Sequence, residues 1–327
     1  MKPKHLQPAL LLLALLTTLS FITASCQKDA TPTIPLVEDT FKNFSASSGL
    51  ATNIKIDGAN WLVEYVKLEN QSQNLVDSSG QELTLSGQDT VYSANGWMSM
   101  AKSKDGATLF LSLKENFEQT PRTVHIGLVS NGQKDEIKIT QRRANRYRIV
   151  DRKFTELEEF RKKYTSDHEC APLQLINSSS EMKSMPTEGI FKNVKHKSTF
   201  ESSDYGAFDW MSIDQDSMVS MPELIVDGGN WWSPPVKYSE GLTQTFYLDE
   251  NQSRTHLDVN PGRKLQLSGK MTYVERVCKY TFTIQNEESG HRFDVSGIWR
   301  QTLPLTPTLI IESNTPIVNI DTQANTD

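Results

Sequence analysis

Along most of the chain, apolar residues recur at every second position. In LFLSL, Leu109, Leu111 and Leu113 share one side; in RTVHIGL, Val124, Ile126 and Leu128 do; in DEIKITQ, Ile137 and Ile139 do. This is the period of a half-buried strand, not of a helix. Turn signals separate the runs at 78–80 (SSG), 95–97 (NGW), 104–106 (KDG) and 131–133 (NGQ). Short strands with one apolar face each need a second sheet to cover that face, so residues 52–142 are expected to form an antiparallel sandwich. The alternation returns in QTFYL (244–248), YTFTI (280–284) and HRFDVSGIW (291–299), with Phe282, Ile284, Phe293 and Val295 at inward positions. A second sandwich over 204–303 follows from it, with a C-terminal strand or tail over 304–327.

Between these regions the pattern changes. Residues 142–153 (RRANRYRIVDRK) are strongly basic. TELEEFRKKY then offers Thr155 and Glu158 as a capping box, with Leu157, Phe160 and Tyr164 on one helical face. Residues 143–203 therefore read as a linker with one short helix. Residues 26–51 are polar and weakly patterned, which suits a flexible stalk, although PTIPLV is also able to pair as a first edge strand. The expected class is all-β: two immunoglobulin-like antiparallel sandwiches joined by that linker. A faint echo links IDGANW (56–61) to VDGGNW (226–231) and ELTLSG (82–87) to KLQLSG (264–269); related sandwiches and reused hairpin vocabulary both account for it.

The first 25 residues stand apart. Lys2 and Lys4 precede an apolar run from Ala9 to Ile22, then Thr23, Ala24 and Ser25 lead to Cys26. The run is too short to remain as a spanning helix, and the order basic, apolar, small is that of a secretory signal. The small residues ending at Cys26 resemble the bacterial lipobox, with Thr23 where leucine is usual. That resemblance implies cleavage before Cys26 and a diacylglycerol on its sulfur. Gln27-Lys28-Asp29 is similar to the tag that directs Bacteroidetes lipoproteins to the outer face of the outer membrane. Acyl chains contribute about 0.8 kcal/mol per buried methylene, so such an anchor needs no spanning segment.

Loss of Lys2 and Lys4 takes the formal charge from −6 to −8. An acidic protein of this kind has no electrostatic basis for binding nucleic acid or anionic lipid. With Cys26 lipidated, Cys170 and Cys278 remain; export permits a disulfide between them, and two buried thiols are the alternative.

One module has a recognisable outline. ELTLSG, GWMSMAKSKDGATLFLSLKEN and RTVHIGLVSNGQKDEIKITQ carry Gly96-Trp97, Asn116, Arg122-Thr123, Gly132 and Gln141 in order. This stretch, about 82–142, resembles the BACON domain of Bacteroidetes secreted proteins. The resemblance implies a β-sandwich in which Trp97 is structural, and an association with carbohydrate or a spacer role.

Motifs for catalysis are lacking: there is no G-x-S-x-G, H-E-x-x-H, G-x-x-x-x-G-K or C-x-x-C. His168-Glu169-Cys170 are adjacent, but metal motifs leave gaps between ligands, so a solvated loop is expected there and no metal or cofactor. The most suggestive cluster is GGNWWSPP, 228–235. Gly228 and Gly229 permit a sharp turn, and Pro234 and Pro235 stiffen the exit. Trp231 or Trp232 as an aromatic platform, with Asp227 and Asn230 as polar partners, suits the apolar C–H face and hydroxyls of a sugar. Burial of either indole in a core is the competing reading. The expected function is non-catalytic glycan binding at the cell surface, with adhesion to a protein partner as the alternative.

Overall fold

The computed structural model describes residues 34–212, 218–248 and 255–317, and the chain is all-β, built from several sheets of which none closes. Cys26 lies outside the described residues.

Two four-stranded sheets share the N-terminal core. One runs Asn43–Ala46, Gln133–Gln141, Arg122–Ser130, Leu62–Leu68; the other runs Leu50–Lys55, Thr108–Leu113, Met98–Lys102, Val91–Tyr92. The alternation read from the sequence is the buried face: Leu109, Leu111, Leu113, Val124, Ile126, Leu128, Ile137 and Ile139 all lie in one cluster. Trp61 and Trp97 are buried with them, and the Trp61 Nε1–H donates to the Gly106 carbonyl at 2.6 Å.

The expected stalk is already folded from residue 34 onward. Leu36 and Val37 are buried, Asp39–Lys42 forms a single helical turn, and Asn43–Ala46 pairs in parallel with Lys138–Gln141. Apolar Phe41 and Phe44 pack onto the core, which a purely polar stalk has no means of doing. The pairing is made by NFSA, whereas the described part of PTIPLV, residues 34–37, forms no strand.

The second half differs from the expected short-stranded sandwich. Its frame is a hairpin of two very long strands, Arg263–Asn286 and Arg292–Pro316, paired from Arg263↔Pro316 to Gln285↔Arg292. At ~3.3 Å per residue each strand runs roughly 80 Å. Tyr147–Glu156, Lys162–Ser166 and Leu173–Asn177 line up along the outer edge of the first, and Lys195–Glu201 then Gly241–Phe246 extend the sheet beyond the second.

The linker helix is therefore absent. Thr155 and Glu156 belong to a strand, Glu158–Phe160 is one 3-10 turn, Tyr164 is in the next strand, and Phe160 is exposed. A ten-residue helix has little stability of its own, whereas the long strand offers a ready ladder for the same backbone.

The long strand changes its buried face midway. Leu265, Leu267, Met271 and Tyr273 pack with Ile190, Phe191 and Val194; from Val274 onward the inward residues are Cys278, Tyr280, Phe282 and Ile284, under a different cluster holding Phe200, Trp210 and Tyr238. Odd and even residues of a strand point to opposite faces. The two cores thus sit on opposite faces of one sheet, and the switch coincides with the register shift between Thr272 and Tyr273. Gly269 fits this arrangement, because a Cβ there would lie 2.4 Å from Ile190.

The two halves meet around Glu115. Its buried carboxylate accepts from Tyr147 Oη at 3.0 Å, from Asn286 Nδ2 at 3.2 Å and from His291 Nδ1 at 2.8 Å. Phe117 adds ring contacts with Tyr147, Tyr205 and Phe293.

The sequence echo is not a structural repeat. Asn60 carries the positive φ in the first copy, Asp227 and Gly228 in the second, and KLQLSG lies inside the long strand.

Cys170 and Cys278 are unpaired, so the proposed disulfide is absent. Ser166↔Met271 and Leu173↔Leu267 place Cys170 beside the 267–271 stretch of the long strand. Cys278 is a further seven residues along from Met271, roughly 23 Å at ~3.3 Å each, against a limit of about 7 Å between bridged Cα atoms. Burial raises both thiol pKa values, that of Cys278 to about 11. In the native protein at about pH 8, iodoacetamide is expected to label half-buried Cys170 well before Cys278, and both after unfolding without reductant. A disulfide-linked peptide in the mass spectrum would contradict this.

Candidate functional site

The cluster read from GGNWW forms a small hairpin, Leu224–Val226 with Gly229–Trp231. Asp227 and Gly228 both have positive φ, the type I′ geometry that suits a two-residue connection. Register decides which side chains face outward. Leu224 opposes Trp231, and both turn inward, where Trp231 packs against Leu224, Val274, Leu303 and Leu305. Ile225 opposes Asn230, and both turn outward. Trp232, two residues beyond Asn230, is 72% exposed, and Ile225 is 57% exposed.

Of the four candidate residues, Asn230 and Trp232 therefore share the exposed side. Trp231 is the anchor beneath it and not a platform. Asp227 sits at the turn, roughly 10 Å of strand from Trp232, and is ion-paired with Lys163. Ile225 belongs to the exposed side and was not foreseen; its alternation with Leu224 and Val226 was the available signal.

The base of the hairpin is held by the long strands. Arg276, almost fully buried, donates from Nη2 to the Pro222 carbonyl at 2.7 Å, from Nη1 to the Glu223 carbonyl at 3.4 Å and from Nε to Gln301 Oε1 at 2.9 Å. Its guanidinium also lies 4.8 Å from the centre of the Trp299 ring. Gln301 Nε2 donates to Ser233 Oγ at 2.6 Å, on the other side of the hairpin. Burial lowers the Arg276 pKa, while Cys278 and Glu156 act in the opposite sense. On the outer side, Arg161 Nη1 donates to the Ile225 carbonyl at 3.4 Å. The result is a short arm with fixed ends and one free aromatic face.

The 168–170 cluster is less solvated than expected. Glu169 accepts from Lys197 Nζ at 2.6 Å, Tyr273 Oη at 3.0 Å and the Lys195 N–H at 3.2 Å. Burial works against its charged form, but Lys197, Tyr273 and the Lys195 N–H hold its pKa below the ordinary carboxylate value. Among the described residues no group of three or more His, Cys, Asp or Glu side chains is placed to hold a metal ion.

No family model and no curated protein matches this chain. Among solved structures it is similar to a lamprey immune protein, at 10% identity and a TM-score of 0.40, over 83% of this chain and 100% of that one. It is also similar to a protein from Bacteroides thetaiotaomicron, at 13% identity and 0.25, over 33% and 83%. A third is the Bacillus thuringiensis toxin parasporin-2, which recognises cancer cells, at 10% identity and 0.23, over 52% and 75%. These likenesses are too distant to bear on function.

Replacing Arg276 by Met leaves the Pro222 and Glu223 carbonyls without their donor. A loss of about 3 kcal/mol in denaturant unfolding is expected, with faster amide exchange across 224–231. Unchanged exchange there would show that the hairpin is held by other contacts.

Proposed function

We propose that the protein is a surface lipoprotein that binds glycan without altering it, with Trp232 as the platform for a sugar ring. The observation that carries this reading is an exposed indole beside Ile225 and Asn230 on an arm whose base is fixed. A preorganised aromatic face loses little entropy on binding, and sugars present apolar C–H faces that such a ring covers while a neighbouring amide bonds a hydroxyl. We read the two N-terminal sheets as an immunoglobulin-like sandwich of the BACON type. In this reading it spaces the second half from an outer membrane to which lipid on Cys26 tethers the chain, facing the cell exterior.

Calorimetric titration of the soluble mature chain against host and plant polysaccharides tests the platform. Heat with at least one glycan is expected, weakened at least about tenfold, or roughly 1.4 kcal/mol, in Trp232→Ala. Asp227→Asn leaves it unchanged, and Trp231→Ala chiefly lowers thermal stability. Binding that survives Trp232→Ala refutes the platform.

A second reading, attachment to a protein, is favoured by one observation: Leu242 and Phe246 are more than half exposed on Gly241–Phe246, the last strand of its sheet. It predicts no heat with glycans and a partner lost in Leu242→Lys with Phe246→Lys. For the anchor, Cys26→Ser is expected to move the protein from the membrane fraction to the soluble one; a variant still bound to membranes would exclude lipidation at this position.

A further inference from the structure

Beside Glu115, where the N-terminal sheets meet the long hairpin, lies a cavity of about 330 Å³, at the lower end of the range for small-ligand sites. His291 lines it with a defined orientation. His291 Nδ1 is hydrogen-bonded to Glu115 at 2.8 Å, which leaves Nε2 without a partner among the described residues. The ring is held on both sides. A Cβ at residue 49 would come within 2.4 Å of its Cε1, so the seat requires Gly49, and Phe293 stacks on the ring at 6.3 Å and 23°. Tyr147 and Asn286 fix the carboxylate in turn.

Two more acceptors line the same cavity. Asp204 uses Oδ2 for the Ser296 N–H at 2.7 Å, and Asp294 uses Oδ1 for the Thr283 hydroxyl at 2.7 Å. Each keeps one oxygen without a hydrogen-bond partner among the described residues. Phe117 and Phe293 supply the apolar wall. Held acceptors around an apolar wall complement a compact ring rich in hydroxyl donors; Lys114 also lines the cavity, but the carboxylates of Glu115, Asp204 and Asp294 outweigh its single positive charge and oppose a phosphate or a carboxylate.

We propose that this cavity binds a single neutral sugar ring, with the free oxygens of Asp204 and Asp294 accepting from its hydroxyls and His291 Nε2 hydrogen-bonded to another. The site is separate from the Trp232 arm and does not rest on it.

The test is ¹⁵N-histidine NMR of the full mature chain, with the His291 signal assigned by its loss in His291→Gln. Galactose, mannose, N-acetylglucosamine, glucuronic acid and cyclohexylamine are titrated separately. At least one of the three neutral sugars is expected to shift Nε2 saturably, and glucuronic acid is not. Asp294→Asn, which can still accept from Thr283, weakens the effect about tenfold. Ser112→Trp, at the cavity wall, abolishes it with thermal stability retained, and Trp232→Ala leaves it intact. Three results overturn the proposal: no response to any neutral sugar, a response to cyclohexylamine alone, or sugar binding that persists in Ser112→Trp. Failure of the Trp232 reading would appear instead as a polysaccharide titration indifferent to Trp232→Ala, so the two are decided independently.

Discussion

One buried carboxylate joins the two halves of this protein. Glu115 extends from the end of a strand in the N-terminal sheets and receives hydrogen bonds from Tyr147, Asn286 and His291, which belong to the other half. A charge taken out of water is tolerable only when its lone pairs are occupied. The requirement is therefore mutual: the donors must be in place for Glu115 to be buried, and the two halves must be docked for the donors to be in place. Phe117, packed on Tyr147, Tyr205 and Phe293, adds apolar contact around the same point.

The long hairpin imposes the second constraint. Because its first strand exchanges buried faces at Tyr273 and Val274, one continuous ladder supports a core on either side of the sheet. The arm bearing Trp232 is docked on the later stretch through Arg276 and Gln301. The free edge further along is blunted by Pro304 and Pro307, which have no N–H to offer a new strand. Position along one pair of strands thus determines where each surface feature lies.

Much of this was legible in the sequence, and what escaped has specific causes. Alternation identified the buried faces around Leu111, Ile126 and Ile139 because each strand there keeps one face throughout. It misled over 263–286, where a switch of face resembles the end of one strand and the start of another. Thr155 to Tyr164 satisfied a helical pattern, but a ladder partner far along the chain decided their conformation. The two tryptophans could not be told apart until register paired Trp231 with Leu224. Glu115 and Arg276 did leave a trace. Glu115 continues the inward positions of Leu109, Leu111 and Leu113, and Arg276 lies between the inward residues Val274 and Cys278. A charge at a position where the alternation demands an apolar residue is a signal worth following, although the partners that satisfy it remain invisible from sequence.

The pairing scheme also sets an order of assembly during synthesis. The N-terminal sheets have all their strands once Gln141 has been made, and half of their ladders join strands adjacent in the chain. Tyr147–Glu156, by contrast, must wait for Cys278–Asn286 before it has a partner. Through that interval the middle of the chain carries unpaired strand-forming segments, the condition in which nascent chains are most open to mispairing. The connection from Asn286 to Arg292 then brings the two long strands together locally, and the waiting strands find their edge. Completion of this half depends on the long hairpin, made after every strand that pairs with it, so truncation shortly before the hairpin is expected to leave the N-terminal module folded and the rest without a template.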